Sequence, residues 1–326
     1  MQKPSAIPQT MRAAAIDRFG GPEVLTIHTL PVTKHNAQEV LIAIDTAGVG
    51  MWDTRSRQGK WAESEDFPLV LGTDGAGIVA AVGSSVKRFN IGDTVYSYSY
   101  DNPNGGFYAE YVAVAAGKVA PVPKALDLLH AGGVPTIGLT ALQGVDDALG
   151  IKPGEKIIVH GASGNVGMLA LQFAKARGAR VLATASGSDG IDFVRRLGAH
   201  VALDGKHDDI LAAAREFAPD GVDAVLAFVG GKELTRCLDA LRKGGRVAYP
   251  NGIEPEPRRR KGVRMKGYDG VPGVREFERL ARAIEDSDLQ VPIAASFNLQ
   301  DAASAHRLLE KGHVLGKVML KCRRGQ

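Results

Sequence analysis

Near the middle of the 326-residue chain runs Ile157-Ile158-Val159-His160-Gly161-Ala162-Ser163-Gly164-Asn165-Val166-Gly167, or IIVHGASGNVG. A short apolar run stops at glycines spaced three apart, and Val166, Leu169, Ala170 and Phe173 then fall on one helical face. A second apolar run, ARVLATA, follows the helix. A parallel strand that enters a helix through a glycine turn aims main-chain N–H groups and the positive helix end at one spot, where a pyrophosphate is attracted. The glycines serve different ends. Gly164 lets the main chain approach phosphates, and Gly167 lets the helix pack close on the strand. The first position of the usual G-x-G-x-x-G is Ala162, with Gly161 just ahead. Dinucleotide binding is the reading this context supports; a plain tight turn is the alternative.

Outward from this turn the rhythm repeats. KIIVH, ARVLATA, AHVALD, AVLAFVG and GRVAYP are brief apolar strands, separated by helical MLALQFAKA, IDFVRRLGA, DDILAAAREFA and ELTRCLDALRKGG. That alternation predicts a parallel sheet covered on both faces. From Met11 to about Lys124 the pattern is β-like, with VLTIHTL, EVLIAIDTAGV, AGIVAAVG and DTVYSYSY between glycine- and proline-rich turns. After Pro272 come a helix (VREFERLARAIEDSD), a final helix (DAASAHRLLEKG) and a closing strand, GKVMLK. The expected layout is α/β: a β-rich domain over residues 1–125 and 288–326, interrupted by a doubly wound parallel-sheet domain over residues 126–287.

Composition narrows the partners. A net charge of +4, with 44% hydrophobic and 23% charged residues, describes an ordinary globular chain. The dense basic run Arg258-Arg259-Arg260-Lys261 reads as a solvated loop rather than a nucleic-acid face. No apolar stretch approaches the about 20 residues of a membrane span, and MQKPSAIPQT reads as a short tail without a signal region. Cys237 and Cys322 give neither a disulfide framework nor a thiolate cluster, so a cytoplasmic protein is expected. The second strand ends at Ala185-Ser186-Gly187-Ser188, with no acid to engage ribose hydroxyls. Ser186 and Ser188 can instead donate to a 2′-phosphate, which favours NADPH over NADH; the alternative is that they only start the next helix.

Further blocks carry a family likeness: FGGPEVL, AGVGMWDTRSRQG, LGTDGAGIVAAVG, GGFYAEYV, VPTIGLTALQGV and GKVML, besides the glycine turn. With them the chain resembles the zinc-independent quinone oxidoreductase (zeta-crystallin-like) branch of the medium-chain dehydrogenase/reductases over nearly its whole length. The resemblance implies a GroES-like catalytic domain, a Rossmann domain and a cofactor in the cleft between them. It implies hydride transfer from NADPH to a quinone or an α,β-unsaturated carbonyl compound. The cofactor contacts it implies are Thr140, Gly161, Ala162, Ser163, Gly164, Asn165, Val166, Ser186, Ser188, Val229, Gly230, Asn251, Gly252 and Lys317. It also implies a homodimer joined along a sheet edge near Val263–Tyr268.

The chain departs from its relatives at instructive places. Gly50 stands where zinc-dependent members carry a ligand cysteine, and Thr73-Asp74 where they carry His-Glu; the four-cysteine lobe is missing, so no metal is expected. The branch often has Asn at Gly50 and Tyr at Arg55, and its 2′-phosphate lysine and tyrosine are replaced around Gly190, Asp192 and Asp204-Gly205. Gly50, Trp52 and Arg55 are the expected substrate pocket, and Asp53 the residue expected to organise catalysis; its alternative role is to cap the turn TRSRQG. Tyr108 and Tyr111 read as sheet packing, His160 as filling a strand end, and Cys237 as inert. A short-chain dehydrogenase is excluded, since no tyrosine has lysine four positions on. A non-enzymatic cofactor-binding relative of the same fold remains the alternative.

Overall fold

The computed structural model describes residues 7–61 and 66–323. The chain divides into two compact units: Met1–Thr136 with Pro272–Ala281 and Pro292–Gln326, and Ile137–Val271 with Arg282–Val291.

In the first unit the first eight strands pair antiparallel: Thr10–Ile16 (β1), Thr26–Pro31 (β2), Glu39–Val49 (β3), Leu69–Val70 (β4), Asp74–Val82 (β5), Thr94–Tyr98 (β6), Tyr111–Ala115 (β7) and Val119–Pro121 (β8). Between β3 and β4 lies one short helix, Met51–Arg57, whose N-cap is Gly50.

The second unit is built on one parallel sheet: Lys156–His160 (β9), Arg180–Ala185 (β10), Val201–Asp204 (β11), Val222–Ala227 (β12), Leu241–Pro250 (β13) and Arg264–Tyr268 (β14). Its order is β11-β10-β9-β12-β13-β14, every neighbour parallel. Ile157, Ile158 and Val159 are fully buried, as a central strand with helices on both faces requires. The order reverses between β9 and β12, the switch point at which open α/β sheets bind ligands. The turn after β9 is the glycine turn.

The last two strands, Ile293–Asn298 (β15) and Lys317–Lys321 (β16), complete the larger sheet of the first unit, β15-β16-β3-β5-β6-β8, with β7 also on β3. β3 is long enough to change partners: its first half pairs β7, its second half β16. Ile42, Ile44, Val49, Phe107, Val318 and Leu320 fill the core behind it.

The structure corrects three expectations about elements. ELTRCLDALRKGG is not one helix: Lys232–Asp239 is helical, and β13 begins at Leu241, paired with Val222. A strand, β15, lies in PIAASFN where none was expected; its alternating exposure marks a half-covered edge with no apolar run to announce it. Asp53 lies at the third position of a helix that starts at Met51, ahead of the expected turn.

Candidate functional site

In the parallel-sheet unit the turn after β9 is held by its neighbour strand. Thr184 in β10 accepts the Gly161 N–H at its hydroxyl oxygen (3.0 Å) and the Ala162 N–H at its carbonyl (2.9 Å). The same hydroxyl lies 2.7 Å from His160 Nδ1; burial pushes the His160 pKa down to about 4, so the ring is neutral. Gly161 has φ +78°, a left-handed conformation that favours glycine. Gly164 caps the helix Asn165–Ala176 and is itself exposed. A Cβ at Gly167 would sit 2.2 Å from the Gly161 carbonyl, so only glycine permits this helix-to-turn approach.

These residues suit a pyrophosphate. A Cβ at Gly164 would meet nothing nearer than the Gly161 carbonyl at 3.3 Å, so its outer face is open to a ligand. The first N–H groups of the helix have no intrahelical acceptor, and Asn165 Oδ1 is buried with no hydrogen-bond partner among the described residues. Val229, in the turn after β12, is 52% exposed, and its Cγ2 lies 2.8 Å from where a Gly161 Cβ would be. Gly230 follows; a side chain there would strike the Pro255 carbonyl. Asn251 Nδ2 donates to Asp269 (2.7 Å), and Gly252 has φ +81°. Thr140 gives its carbonyl to the Tyr268 hydroxyl (3.0 Å), and its own hydroxyl lies against Gly270.

At the tip of β10, Ser186 and Ser188 are exposed, and Ser186 occupies the N-cap position of the next helix without a side-chain cap bond. An acid does stand beside this tip, contributed by β11. Asp204 accepts the N–H groups of Gly187 (2.9 Å) and Lys206 (2.8 Å). Burial works to raise its pKa, yet these donors and His207 outweigh burial and hold the carboxyl at about 2. Sequence reading noted Asp204 only as a replacement of the family's 2′-phosphate tyrosine and gave the acid no role of its own, because it sits at the end of a different strand.

In the β-rich unit the polar groups are buried side chains. The Gly50 N–H (2.8 Å) and the Tyr108 hydroxyl (3.1 Å) both donate to Asp53 Oδ2. His306 Nε2 lies 3.3 Å from the Tyr108 oxygen, and its Nδ1 lies 3.0 Å from Arg57 Nη1. Arg57, fully buried, also donates to the Gly20 carbonyl (3.0 Å) and pairs with Glu310. Burial pushes the Asp53 carboxyl up to about 7; the Gly50 N–H opposes this, and the charge of Asp74 adds to it. Trp52 donates to the Thr73 hydroxyl (2.6 Å), and the Lys317 ammonium sits 5.0 Å from the Trp52 ring. Lys317 Nζ, Asp74 Oδ1 and Asp53 Oδ1 are all buried without hydrogen-bond partners among the described residues. Gly48 has no room for a side chain, since a Cβ would lie 2.5 Å from Asp74 Oδ1 and 2.7 Å from Lys317 Cε.

A cavity of about 370 Å³ opens within this unit, lined by Asp53, Ser56, Trp61, Thr73, Ser99, Tyr100 and the main chain around Gly72 and Gly105. Gly50, Trp52 and Arg55 are not among its lining residues; Gly50 is closed off by the Trp52 ring, and Arg55 stacks on Trp61 at 4.5 Å. Tyr108 does more than pack a sheet: it is fully buried and hydrogen-bonded to Asp53. Cys237 is buried 3.6 Å from His160, and burial raises its thiol to about 12, the state of an unreactive cysteine.

Two family profiles match the chain: an alcohol dehydrogenase GroES-like domain over residues 36–124 and a zinc-binding dehydrogenase over residues 197–320. The quinone oxidoreductase of Rattus norvegicus is 32% identical over 95% of this chain and 97% of its own length. The chain belongs to the quinone oxidoreductases of the medium-chain dehydrogenase/reductase family. It is an oxidoreductase of that family. Among solved structures, an NAD-dependent alcohol dehydrogenase is 32% identical, with a TM-score of 0.89 over 95% of this chain and 99% of that one. Mycobacterial Rv1454c complexed with NADPH is 28% identical, with a TM-score of 0.85 over 95% of this chain and 99% of that one. Among the described residues no group of three or more His, Cys, Asp or Glu could hold a metal ion. Nor, among the described residues, is any helix long and apolar enough to cross a membrane.

Proposed function

We propose that this oxidoreductase transfers hydride from NADPH to a quinone or an α,β-unsaturated carbonyl compound without a catalytic zinc. The observation that carries the reading is the glycine turn at the switch point of the parallel sheet, with the open face of Gly164 and the unpartnered Asn165 Oδ1 at the helix start. Gly161, Ala162, Ser163, Gly164, Asn165 and Val166 would hold the pyrophosphate; Ser186 and Ser188 the adenosine end; Thr140, Val229, Gly230, Asn251, Gly252 and Lys317 the remainder. Bound there, the reduced nicotinamide would supply the hydride. The protein's own work is to orient the acceptor and exclude water. Gly50, Trp52 and Arg55 remain the proposed pocket mouth, and Asp53 the proposed catalytic residue. The zinc-free reading is supported by the ligand positions themselves: Gly50 and Thr73 offer no nitrogen or sulfur ligand, and Asp74 Oδ2 already takes the Thr136 N–H at 3.0 Å.

One observation favours a second reading, NADH. Asp204 places an ionised carboxylate on Gly187, between Ser186 and Ser188, where a 2′-phosphate would be repelled. Oxidation rates of NADPH and NADH compared across small quinones and enals decide between the two. Turnover that survives prolonged dialysis against chelator supports the metal-free reading, and its loss overturns it. Dinucleotide binding with no oxidation across the panel would favour a non-enzymatic binder. The same reading carries a homodimer joined along β14, which light scattering measures.

A further inference from the structure

We propose that the line Arg57–His306–Tyr108 dictates which oxygen of Asp53 carries its proton, and that Asp53 delivers that proton from Oδ1 to the acceptor. This rests on the hydride-transfer reading above.

The argument is one of donors and acceptors. Arg57 has only N–H donors, so His306 Nδ1, 3.0 Å away, must be the bare nitrogen of the ring. Nε2 then carries the hydrogen and donates to the Tyr108 oxygen at 3.3 Å. With its oxygen accepting from His306, Tyr108 donates to Asp53 Oδ2, which already accepts from Gly50. Two donors on Oδ2 leave no place for a proton there. A protonated Asp53 therefore holds its hydrogen on Oδ1, the oxygen without a partner among the described residues. Asp53 lines the cavity of the β-rich unit and is only 1% exposed. Burial, together with the Arg57 charge, holds His306 at about 3, and Tyr108 is raised well above the ordinary phenol, so neither titrates near neutrality. The charged groups acting on Asp53 are Asp74 of β5, which raises its pKa, and Lys317 of β16, which lowers it; Arg57, paired with Glu310, stands behind His306.

The step balances simply. Hydride uptake leaves the acceptor as an enolate or hydroquinone anion. The Asp53 O–H bond breaks, a C–H or O–H bond forms on the acceptor anion, and the carboxylate regains a proton from water. Asp53 is the catalytic residue here, while Tyr108, His306 and Arg57 are positioning residues.

The test is the pH dependence of turnover with 1,4-benzoquinone and a small enal, alongside infrared titration of the protonated carboxyl band without substrate. For the wild type, kcat should fall as pH rises through about 7, with the carboxyl band disappearing over the same range. Asp53→Asn should lose about 100-fold or more in kcat, the low end of general acid catalysis, and lack the band. Tyr108→Phe removes a donor that favours the ionised form, so both inflections should move upward. His306→Leu should shift them the same way by less, and His306→Gln, which can donate to Tyr108 and accept from Arg57, should restore them. A flat wild-type profile, or full activity in Asp53→Asn, overturns the acid role while leaving the oxidoreductase reading intact. Loss in Asp53→Asn with unmoved inflections in Tyr108→Phe and His306→Leu overturns the assignment to Oδ1. Dinucleotide binding without turnover in the wild type removes the parent reading and the acid step with it.

Discussion

In the parallel-sheet unit the candidate contacts come from main chain: Thr184 takes the N–H groups of Gly161 and Ala162 and so holds the turn, the first helical turn from Asn165 offers its N–H groups, and the glycines give the turn its shape. In the β-rich unit they come from side chains, and the partners Arg57 and Glu310 stand 253 positions apart in the chain. The first arrangement tolerates most changes of neighbouring side chain but not an added Cβ at Gly167 or a charge at Gly164. The second tolerates little loss of any member, because each buried polar group satisfies the next. A backbone site is a matter of local spacing; a side-chain site is a matter of tertiary assembly.

The largest effect that could break this contrast is at Arg57. Its guanidinium is fully buried and meets Gly20, His306 and Glu310. Arg57→Ala should cost about 2–5 kcal/mol of stability, since it empties a buried volume and leaves the Gly20 carbonyl and His306 Nδ1 without their donor. Denaturant unfolding measures it, and a loss below about 1 kcal/mol would mean that the line is not a unit. Next comes Gly164→Asp. The site is exposed with φ −76°, and a Cβ there would meet only the Gly161 carbonyl, at 3.3 Å, so Tm should change little. A carboxylate facing a pyrophosphate costs several kcal/mol, so dinucleotide affinity should fall more than about 100-fold in a nicotinamide fluorescence titration. Unchanged affinity would move the site elsewhere.

The same contrast explains what was legible in the sequence. Strand, glycine turn and helix lie within one short stretch, and repeated apolar runs indicated a parallel sheet; β9 to β13 follow that reading. Tyr108 and His306 carried no such signal. Nothing local marks a tyrosine in GGFYAEYV as the partner of Asp53, or a histidine in a terminal helix as its neighbour in turn. Asp204 escaped for a related reason: the rule for ribose recognition looks along β10, whereas this acid arrives from β11. Edge strand β15 was invisible because its side chains alternate between half-buried and exposed.

A smaller effect sharpens the backbone half of the comparison. Gly167→Ala forces a Cβ to within 2.2 Å of the Gly161 carbonyl and 2.8 Å of Ala162 Cα, both main-chain atoms with little freedom to move. Overpacking of this kind costs about 1–3 kcal/mol. Gly164→Asp and Gly167→Ala should therefore separate: one loses binding with little change in Tm, the other loses Tm. If both lost only binding, close packing would not be what Gly167 provides.

The smallest effect lies between the two modes, where a side chain holds a backbone tip. Asp204 ties down Gly187 and Lys206, and its folded carboxyl titrates at about 2, below the ordinary 3.8. A carboxyl depressed by folding stabilises the protein above the unfolded value. That contribution disappears as pH falls from about 4 towards about 2. With solvent screening at this edge of the sheet it amounts to about 1 kcal/mol. Asp204→Asn should thus lower stability modestly at pH 7, with the gap to wild type closing by the acid end of that window. The substitution also removes the negative charge beside Ser186 and Ser188, so it should raise NADPH affinity relative to NADH. If the ratio of the two affinities stayed constant, Asp204 would act on the turn alone, and selection of the dinucleotide would rest with the two serines.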